Sequence, residues 1–312
     1  MKQLKGFFWG LLSSVCFGFI PLFTLPLMES GLKNHSILFY RFLFAAASIL
    51  LVLLVQRSSL KIRRSEIATL LYLAFLYDGS ALFLLDSYSY MSTGVATTLH
   101  FTYPIIVTLV MIFFCGERKQ WTTFLAILIA FIGVAVFSYS PTGNAVGLRG
   151  LVIVLVSAIC YALYIVRVNR SRVREMQGLK LTFYVMVIGM MMFAVNAVRE
   201  GGIQPIPNAE SWLNFLLLAI ICTTISNLAL IYSVKGVGST TTAILGALEP
   251  LTAVCTGILV YHEILTARIA IGILLILTAV ILIVTTRKPA LVLVEEEAEE
   301  PSIDSSIQKH TL

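Results

Sequence analysis

Four ionisable side chains stand in stretches otherwise suited to hydrocarbon: Arg41, Asp78, His100 and Glu249. A charge at such depth persists only where it meets a partner, a water-lined cavity or a proton. Glu249 adjoins Pro250. It serves as a proton carrier, as the counter-charge of an amine, or as a neutral acid whose hydrogen bond locks its helix. Asp78 lies beside Gly79 and Ser80 with no Lys or Arg nearby in sequence, so its partner comes from another helix or from water. It reads as a cargo or proton-relay site, with a structural hydrogen bond as the alternative. His100, one turn before Pro104, either packs or uses a neutral imidazole to stack, relay protons or touch a substrate. Arg41 snorkels outward, pairs with Asp86 or Glu29, or holds a carboxylate. Asn227 offers donor and acceptor to a neighbouring helix or to cargo. Tyr103 supplies an aromatic edge, as do Trp9, Tyr40, Tyr161, Tyr164, Tyr184 and Tyr232; such rings line a cavity or form interfacial belts.

Other chemistries are missing. The chain holds no Gly-x-x-x-x-Gly-Lys loop, Gly-x-Ser-x-Gly elbow or His-Glu-x-x-His pair, which argues against a nucleotide-driven pump and the familiar hydrolases. Its five cysteines include no Cys-x-x-Cys pair and suggest neither a disulfide framework nor a metal site. No cofactor is expected. The formal charge of +6 raises nucleic acid as a partner, but the placement of the charges argues against it.

The elements that position these residues are apolar and long. Hydrophobic residues make up 58% of the 312 and charged residues 12%, too few polar groups to cover a soluble surface. Ten apolar segments follow one another: Gly6–Met28, Ser36–Gln56, Glu66–Tyr88, Thr93–Cys115, Trp121–Ser140, Leu148–Val168, Leu179–Val198, Trp212–Val234, Ser239–Tyr261 and Ala267–Thr286. Each has the roughly 20 residues that cross about 30 Å of hydrocarbon. The first is too long for a signal peptide and lacks a small-residue cleavage site, so it is read as a helix. With both termini in the cytoplasm, 17 Lys and Arg fall inside and 4 outside, Arg41 lying within a helix. That asymmetry predicts cytoplasmic termini and an even number of crossings.

The chain also repeats itself. Ser87–Gly94, Tyr103-Pro104 and Gly116-Glu117 match Ser233–Thr240, Glu249-Pro250 and His262-Glu263 at an offset of 146. Each proline precedes its glutamate by 13 residues. Gly6 with Ser13–Gly18 matches Gly150 with Ser157–Ala162 at an offset of 144, as Phe39-Tyr40 matches Phe183-Tyr184. The drift of two is expected in a loop. Five crossings per half is odd, so the second half enters from the opposite side, and the site is expected near the midplane between inverted repeats. The expected units are 1–145 and 146–288, followed by an acidic cytoplasmic tail, 289–312, of disordered composition. Pro104 and Pro250, each about 12 residues into its helix, are read as mid-helix kinks in rocking wall helices, with a static kink as the alternative.

Small residues leading into a proline and a following glutamate, once per half, resemble the EamA type of the drug/metabolite transporter superfamily. The matching residues are Tyr103-Pro104-Ile105 with Cys115-Gly116-Glu117, and Leu248-Glu249-Pro250-Leu251 with Tyr261-His262-Glu263. Arg41 fits an arginine common early in the second helix of that family. His262 departs from a usual glycine, and Cys16-Phe17-Gly18 from a frequent Trp-Gly. The resemblance covers residues 6–286. It implies an all-α, ten-helix integral membrane protein of the cell inner membrane in two inverted five-helix repeats, working as a secondary transporter rather than an enzyme. The cargo is then a small polar metabolite such as an amino acid, exported with proton coupling as one option, met by Asp78, His100, Glu249, Tyr103, Asn227 and Arg41. Helices 5 and 10, apolar throughout, are the expected homodimer surface. The competing class is a multi-spanning enzyme acting on a lipid-linked substrate; short loops and mid-helix charges count against it.

Overall fold

The computed structural model describes residues 2–115, 120–138 and 147–286. Gly116, Glu117, the charges beside them and the acidic tail lie outside the described residues. The described chain is helical, without strands. Its helices are α1 (Lys2–Gly18), α2 (Ile20–Glu29), α3 (Asn34–Val55), α4 (Arg64–Ser87), α5 (Thr93–His100), α6 (Tyr103–Cys115), α7 (Trp121–Ser138), α8 (Leu148–Arg170), α9 (Gly178–Arg199), α10 (Ala209–Ala219), α11 (Ser226–Leu245), α12 (Leu248–Tyr261) and α13 (Ala267–Thr286). A π-helical turn, Ile220–Ile225, joins α10 to α11.

Eight helical stretches are long and apolar enough to cross a bilayer; Trp121–Val136 and Leu248–Tyr261 are shorter apolar helices. The first crossing is α1 with α2 and the fourth is α5 with α6. The eighth runs 30 residues, Ala209–Gly238, about 45 Å at 1.5 Å per residue, so it extends beyond the hydrocarbon. It and the ninth are separated only at Gly238, whose φ of 79° and ψ of 167° break the helical path inside α11. Only glycine adopts that backbone readily. This replaces the loop expected after Val234.

Contacts repeat across the halves. Helix α1 lies along α11 and α12, while α8 lies along α4 and α6; α3 pairs with α9, α7 with α13, and α5 with α12. The sequence offset relates the first two sets to each other, and the α3–α9 and α7–α13 pairs each to themselves. Side chains obey the same relation: Ser13 Oγ donates to Ser226 O at 2.9 Å, and Ser157 Oγ donates to Ser80 O at 2.6 Å. Inverted halves also bring opposite ends of α3 and α9 together. At one end Lys33 N donates to Gln204 Oε1 (2.6 Å), Tyr40 OH donates to Gln204 O (3.0 Å), and His35 meets Glu200 at 3.1 Å. At the other end Lys180 Nζ donates to Lys61 O (2.6 Å) and Tyr184 OH to Leu60 O.

The offset drift has a physical location. Helices α3 and α9 both have 22 residues and start 144 apart; α4 and α10 start 145 apart; Ser87 and Ser233 are 146 apart. One residue is therefore added in the connection after α9. The other is added by the π turn, which inserts a residue without leaving the helix. The expectation of a single loop change holds for half of the drift.

Glycines set the helix spacing. A Cβ on Gly6 would stand 2.8 Å from the Gly236 backbone, and one on Gly94 would stand 2.7 Å from Val254 Cγ2. Such small-residue seams allow close backbone approach in membranes. Helices 5 and 10 of the sequence reading, α7 and α13, pack on each other within the chain, Gly133 against Gly272 O. Phe124, Leu128 and Phe131 of α7 and Leu274 of α13 face outward.

Candidate functional site

Both prolines sit where a helix restarts. Pro104 is the second residue of α6 and Pro250 the third of α12. The missing N–H costs little in a first turn, whereas the ring would clash with a carbonyl four residues back in a continuous helix. Each break is closed by tighter turns: Thr102 N donates to Leu99 O (3.1 Å), Ala247 N to Ile244 O (3.1 Å) and Glu249 N to Gly246 O (3.0 Å). The mid-helix kinks expected from sequence are thus two matched breaks. Each leaves a half-helix N-terminus, the positive end of its dipole, within the membrane span.

Glu249 lies in the first turn of α12, where that dipole favours negative charge. It is half-buried. Gly18, the last residue of α1, holds the spot open: a Cβ there would overlap Thr252 Cβ and stand 2.6 Å from Glu249 O. Tyr103 is the repeat counterpart of Glu249 and begins α6. Its ring meets Tyr161 edge-on, centroids 4.7 Å apart.

Asp78 is 3% exposed, and neither carboxylate oxygen has a hydrogen-bond partner among the described residues. It lies against Gly189 of α9, beside the Phe42 ring; a Cβ on Gly189 would overlap Asp78 Oδ1. Its counterpart is Thr224 in the π turn, whose hydroxyl donates to Ala219 O instead. The charge therefore belongs to one half only.

His100 Nδ1 stands 3.0 Å from Ser157 Oγ. That hydroxyl donates to Ser80 O, so the imidazole Nδ1–H is the donor and Nε2 keeps its lone pair. The three residues tie α5, α8 and α4 together. Arg41 is 9% exposed, and its Nε has no partner among the described residues. It lies within electrostatic reach of Tyr77, Tyr88 and Cys222. Neither Asp86 nor Glu29 pairs with it among the described residues. Asn227 donates from Nδ2 to Thr223 O at 2.6 Å, within its own helix.

Tyr103, Tyr161 and His100 thus come together, with Tyr164 beside Tyr161; Glu249 lies within electrostatic reach of Tyr103 and Tyr161, and Asp78 of Tyr164. Tyr40 and Tyr184 tie down the helix ends described above, and Trp9 packs on Tyr232. Sequence reasoning missed Tyr77 and Ser157. Tyr77 was visible only as the neighbour of Asp78, and Ser157 as the repeat match of Ser13. The motif glutamate Glu263 also has a use: its Oε1 accepts from Thr93 N (2.8 Å) and Thr93 Oγ1 (2.9 Å), capping α5 from the opposite half. No cluster of three His, Cys, Asp or Glu suited to a metal occurs among the described residues, and Cys16, Cys160, Cys222 and Cys255 are free.

Repeated halves, helices broken within the apolar spans and ionisable groups in those spans fit a polytopic membrane transporter. The EamA-like transporter family matches residues 4–139 and again 148–285, and the chain belongs to that family. It is 25% identical to an uncharacterised transporter of Archaeoglobus fulgidus over 64% of this chain and 70% of that protein. An uncharacterised transporter of Bacillus subtilis is 24% identical over 64% of this chain and 66% of its own. One solved crystal structure superposes with a TM-score of 0.60 over 90% of this chain and 96% of that one, at 16% identity, which bears on the fold alone.

Proposed function

We propose that the chain is a secondary carrier exporting a small polar metabolite, an amino acid or related compound, across the cytoplasmic membrane by alternating access. The observation that carries this reading is the pair of matched helix breaks, with Arg41 of α3 and Asp78 of α4 buried in the spans and Arg41 Nε and both Asp78 oxygens without a hydrogen-bond partner among the described residues. Residues 1–145 and 146–288 are the units that rock, with cargo held between the breaks. Asp78, without a hydrogen-bonding partner of its own, is the group that takes and releases a coupled proton. Both termini lie in the cytoplasm of this inner-membrane protein, as the excess of Lys and Arg on one side supports. The face bearing Thr93 and Glu263 is then external, and their contact seals the cavity there. Two copies meet through the outward faces of α7 and α13. An enzyme acting on lipid-linked substrates is disfavoured, because the ionisable groups gather at mid-span rather than at an interface.

The test is proton-gradient-dependent uptake of pooled labelled amino acids and vitamins into inside-out vesicles, for wild type and Asp78→Asn. Uptake abolished by the substitution in folded protein supports coupled export through α4. Absence of flux for every pool overturns metabolite export and favours lipid-directed roles.

A further inference from the structure

Where α3 ends and α4 begins, four exposed cations stand together: Arg57, Lys61, Arg63 and Arg64. None has a carboxylate partner among the described residues. The nearby acid is already in use, since Glu66 Oε2 accepts from Arg63 N at 2.8 Å and closes the first turn of α4. Arg57 occupies a position that usually selects glycine. Ser58 N donates to Leu53 O (2.9 Å) and Arg57 N to Leu54 O (3.0 Å), the paired hydrogen bonds that end a helix on a left-handed residue. Arg57 takes that backbone with φ of 51°, so a cation is kept where glycine turns more easily. The connection is also fixed to the second half. Gln177 Nε2 donates to Gln56 Oε1 (3.3 Å), Lys180 Nζ to Lys61 O (2.6 Å) and Tyr184 OH to Leu60 O. Arg167 of α8 is turned to the Tyr72 ring, 6.0 Å from its centroid.

The chain supplies a matching anion on the same face. Thr93 and Glu263 meet at one face of the bundle, and Lys61 and Lys180 meet at the other. Helix α13 leaves the first face just after Glu263, and its 20 residues end at Thr286 on the second, the face of Arg57 and Lys61. Further on, outside the described residues, the sequence reads Glu295-Glu296-Glu297-Ala298-Glu299-Glu300. Helix α13 packs on α6, α6 on α8 and α8 on α4, three interaxial steps of about 8–10 Å each, or about 30 Å. The chain from 286 to 295 spans at most about 30 Å, and from 286 to 300 about 50 Å. The distal glutamates therefore reach the patch with length to spare. A segment tethered at that reach acts at an effective concentration in the millimolar range. Lipid headgroups are the competing anions, but each must be ordered separately, whereas the block brings five carboxylates in one tethered event.

We propose that residues 295–300 dock on the Arg57–Arg64 patch and lie across the joint between the two halves on that face. The inference depends on neither cargo nor direction of transport. Spin labels are placed at Ser65→Cys and Ala298→Cys in full-length protein freed of its five cysteines, in phosphatidylcholine nanodiscs. Pulsed dipolar spectroscopy reads their separation. A single short separation is expected at low salt. At about 0.5 M salt, where charges act within roughly 4 Å, the docked fraction is expected to fall about tenfold. Arg57→Gln, Lys61→Gln, Arg63→Gln and Arg64→Gln together are expected to give a similar loss, because each exposed pair contributes little and four act jointly. Exchange of the five tail glutamates for glutamine is expected to reproduce it without altering any described residue, so the test does not hang on the patch variant folding. A broad separation at low salt that neither salt nor either set of substitutions changes overturns the docking. A short separation lost with the tail glutamates but kept without the four cations sets the tail elsewhere and overturns this site. Retention of the short separation in phosphatidylglycerol nanodiscs supports the tail as occupant; its loss there assigns the patch to lipid headgroups and overturns the proposal.

Discussion

Gly18 allows a sharp test of how tightly α12 is held at its first turn. In Gly18→Ala the new methyl overlaps Thr252 Cβ, stands 2.6 Å from Glu249 O and 2.9 Å from Thr252 Cγ2. Carbon contacts settle at about 3.5–4.0 Å, so the end of α1 and α12 must part by about 1 Å. Rotation of Thr252 gives no relief, because its hydroxyl is bound to Leu248 O at 2.8 Å and the nearest oxygen belongs to the backbone. Overpacking of this kind costs about 1–3 kcal/mol, against about 1 kcal/mol gained when alanine replaces glycine in a helix. The net expectation is a loss of up to about 2 kcal/mol, a fall of up to a few degrees in melting temperature. Flux falls much further, because Glu249 shifts by about 1 Å and misplacement on that scale costs about a hundredfold in positioned chemistry. Gly79→Ala is the control: its methyl lies 3.7 Å from Cys160 Sγ, an ordinary contact, so stability and flux are kept. Thermal unfolding in detergent and flux in proteoliposomes read both. Wild-type flux in Gly18→Ala would refute the close packing and the positioning of Glu249 with it.

Glu263→Ala removes the acceptor of two bonds from Thr93, and a loss of about 1 kcal/mol is expected for the lost cap, measured by thermal unfolding. At His262, with φ of 53° at the end of α12, glycine should be tolerated, whereas His262→Val should cost about 1–2 kcal/mol because a β-branched side chain resists that conformation; the two melting curves decide it. Ser157→Ala leaves His100 Nδ1 without its acceptor and should cost about 1–3 kcal/mol; conservation of the melting temperature would show that the serine bridge is not holding α4 to α8.

Much of this fold is legible in the chain because hydrocarbon permits so few backbones: apolar length gives the crossings and the spacing of Ser13 and Ser157 gives the two-fold relation. The prolines were read as kinks, since proline is compatible with both a bend and a first turn, and only the turns at Thr102 and Ala247 distinguish the two. The π turn left a trace, a drift of one residue beyond the loop, but an insertion in a helix and one in a loop look alike in a sequence. The familial preference for glycine at position 262 acquires a reason from the left-handed backbone there. Tyr77 escapes notice because an aromatic residue on an apolar helix is usually packing, and only the fold brings its ring against Tyr161 and Tyr164 of α8. Arg41 is expected to snorkel, to pair with Asp86 or Glu29, or to hold a carboxylate; it is buried, and neither acid pairs with it among the described residues.

Solute exchange with the Thr93–Glu263 seam under chemical control tests alternating access most directly. In a chain freed of its five cysteines, Thr93→Cys and Glu263→Cys are joined by a short reducible thiol linker, and exchange of pooled amine metabolites is followed in proteoliposomes. Exchange by the unlinked protein, its arrest on linking and its return on reduction are expected of a carrier whose cavity opens there. No exchange of any solute by the wild type, or undiminished exchange by the linked protein, would contradict it.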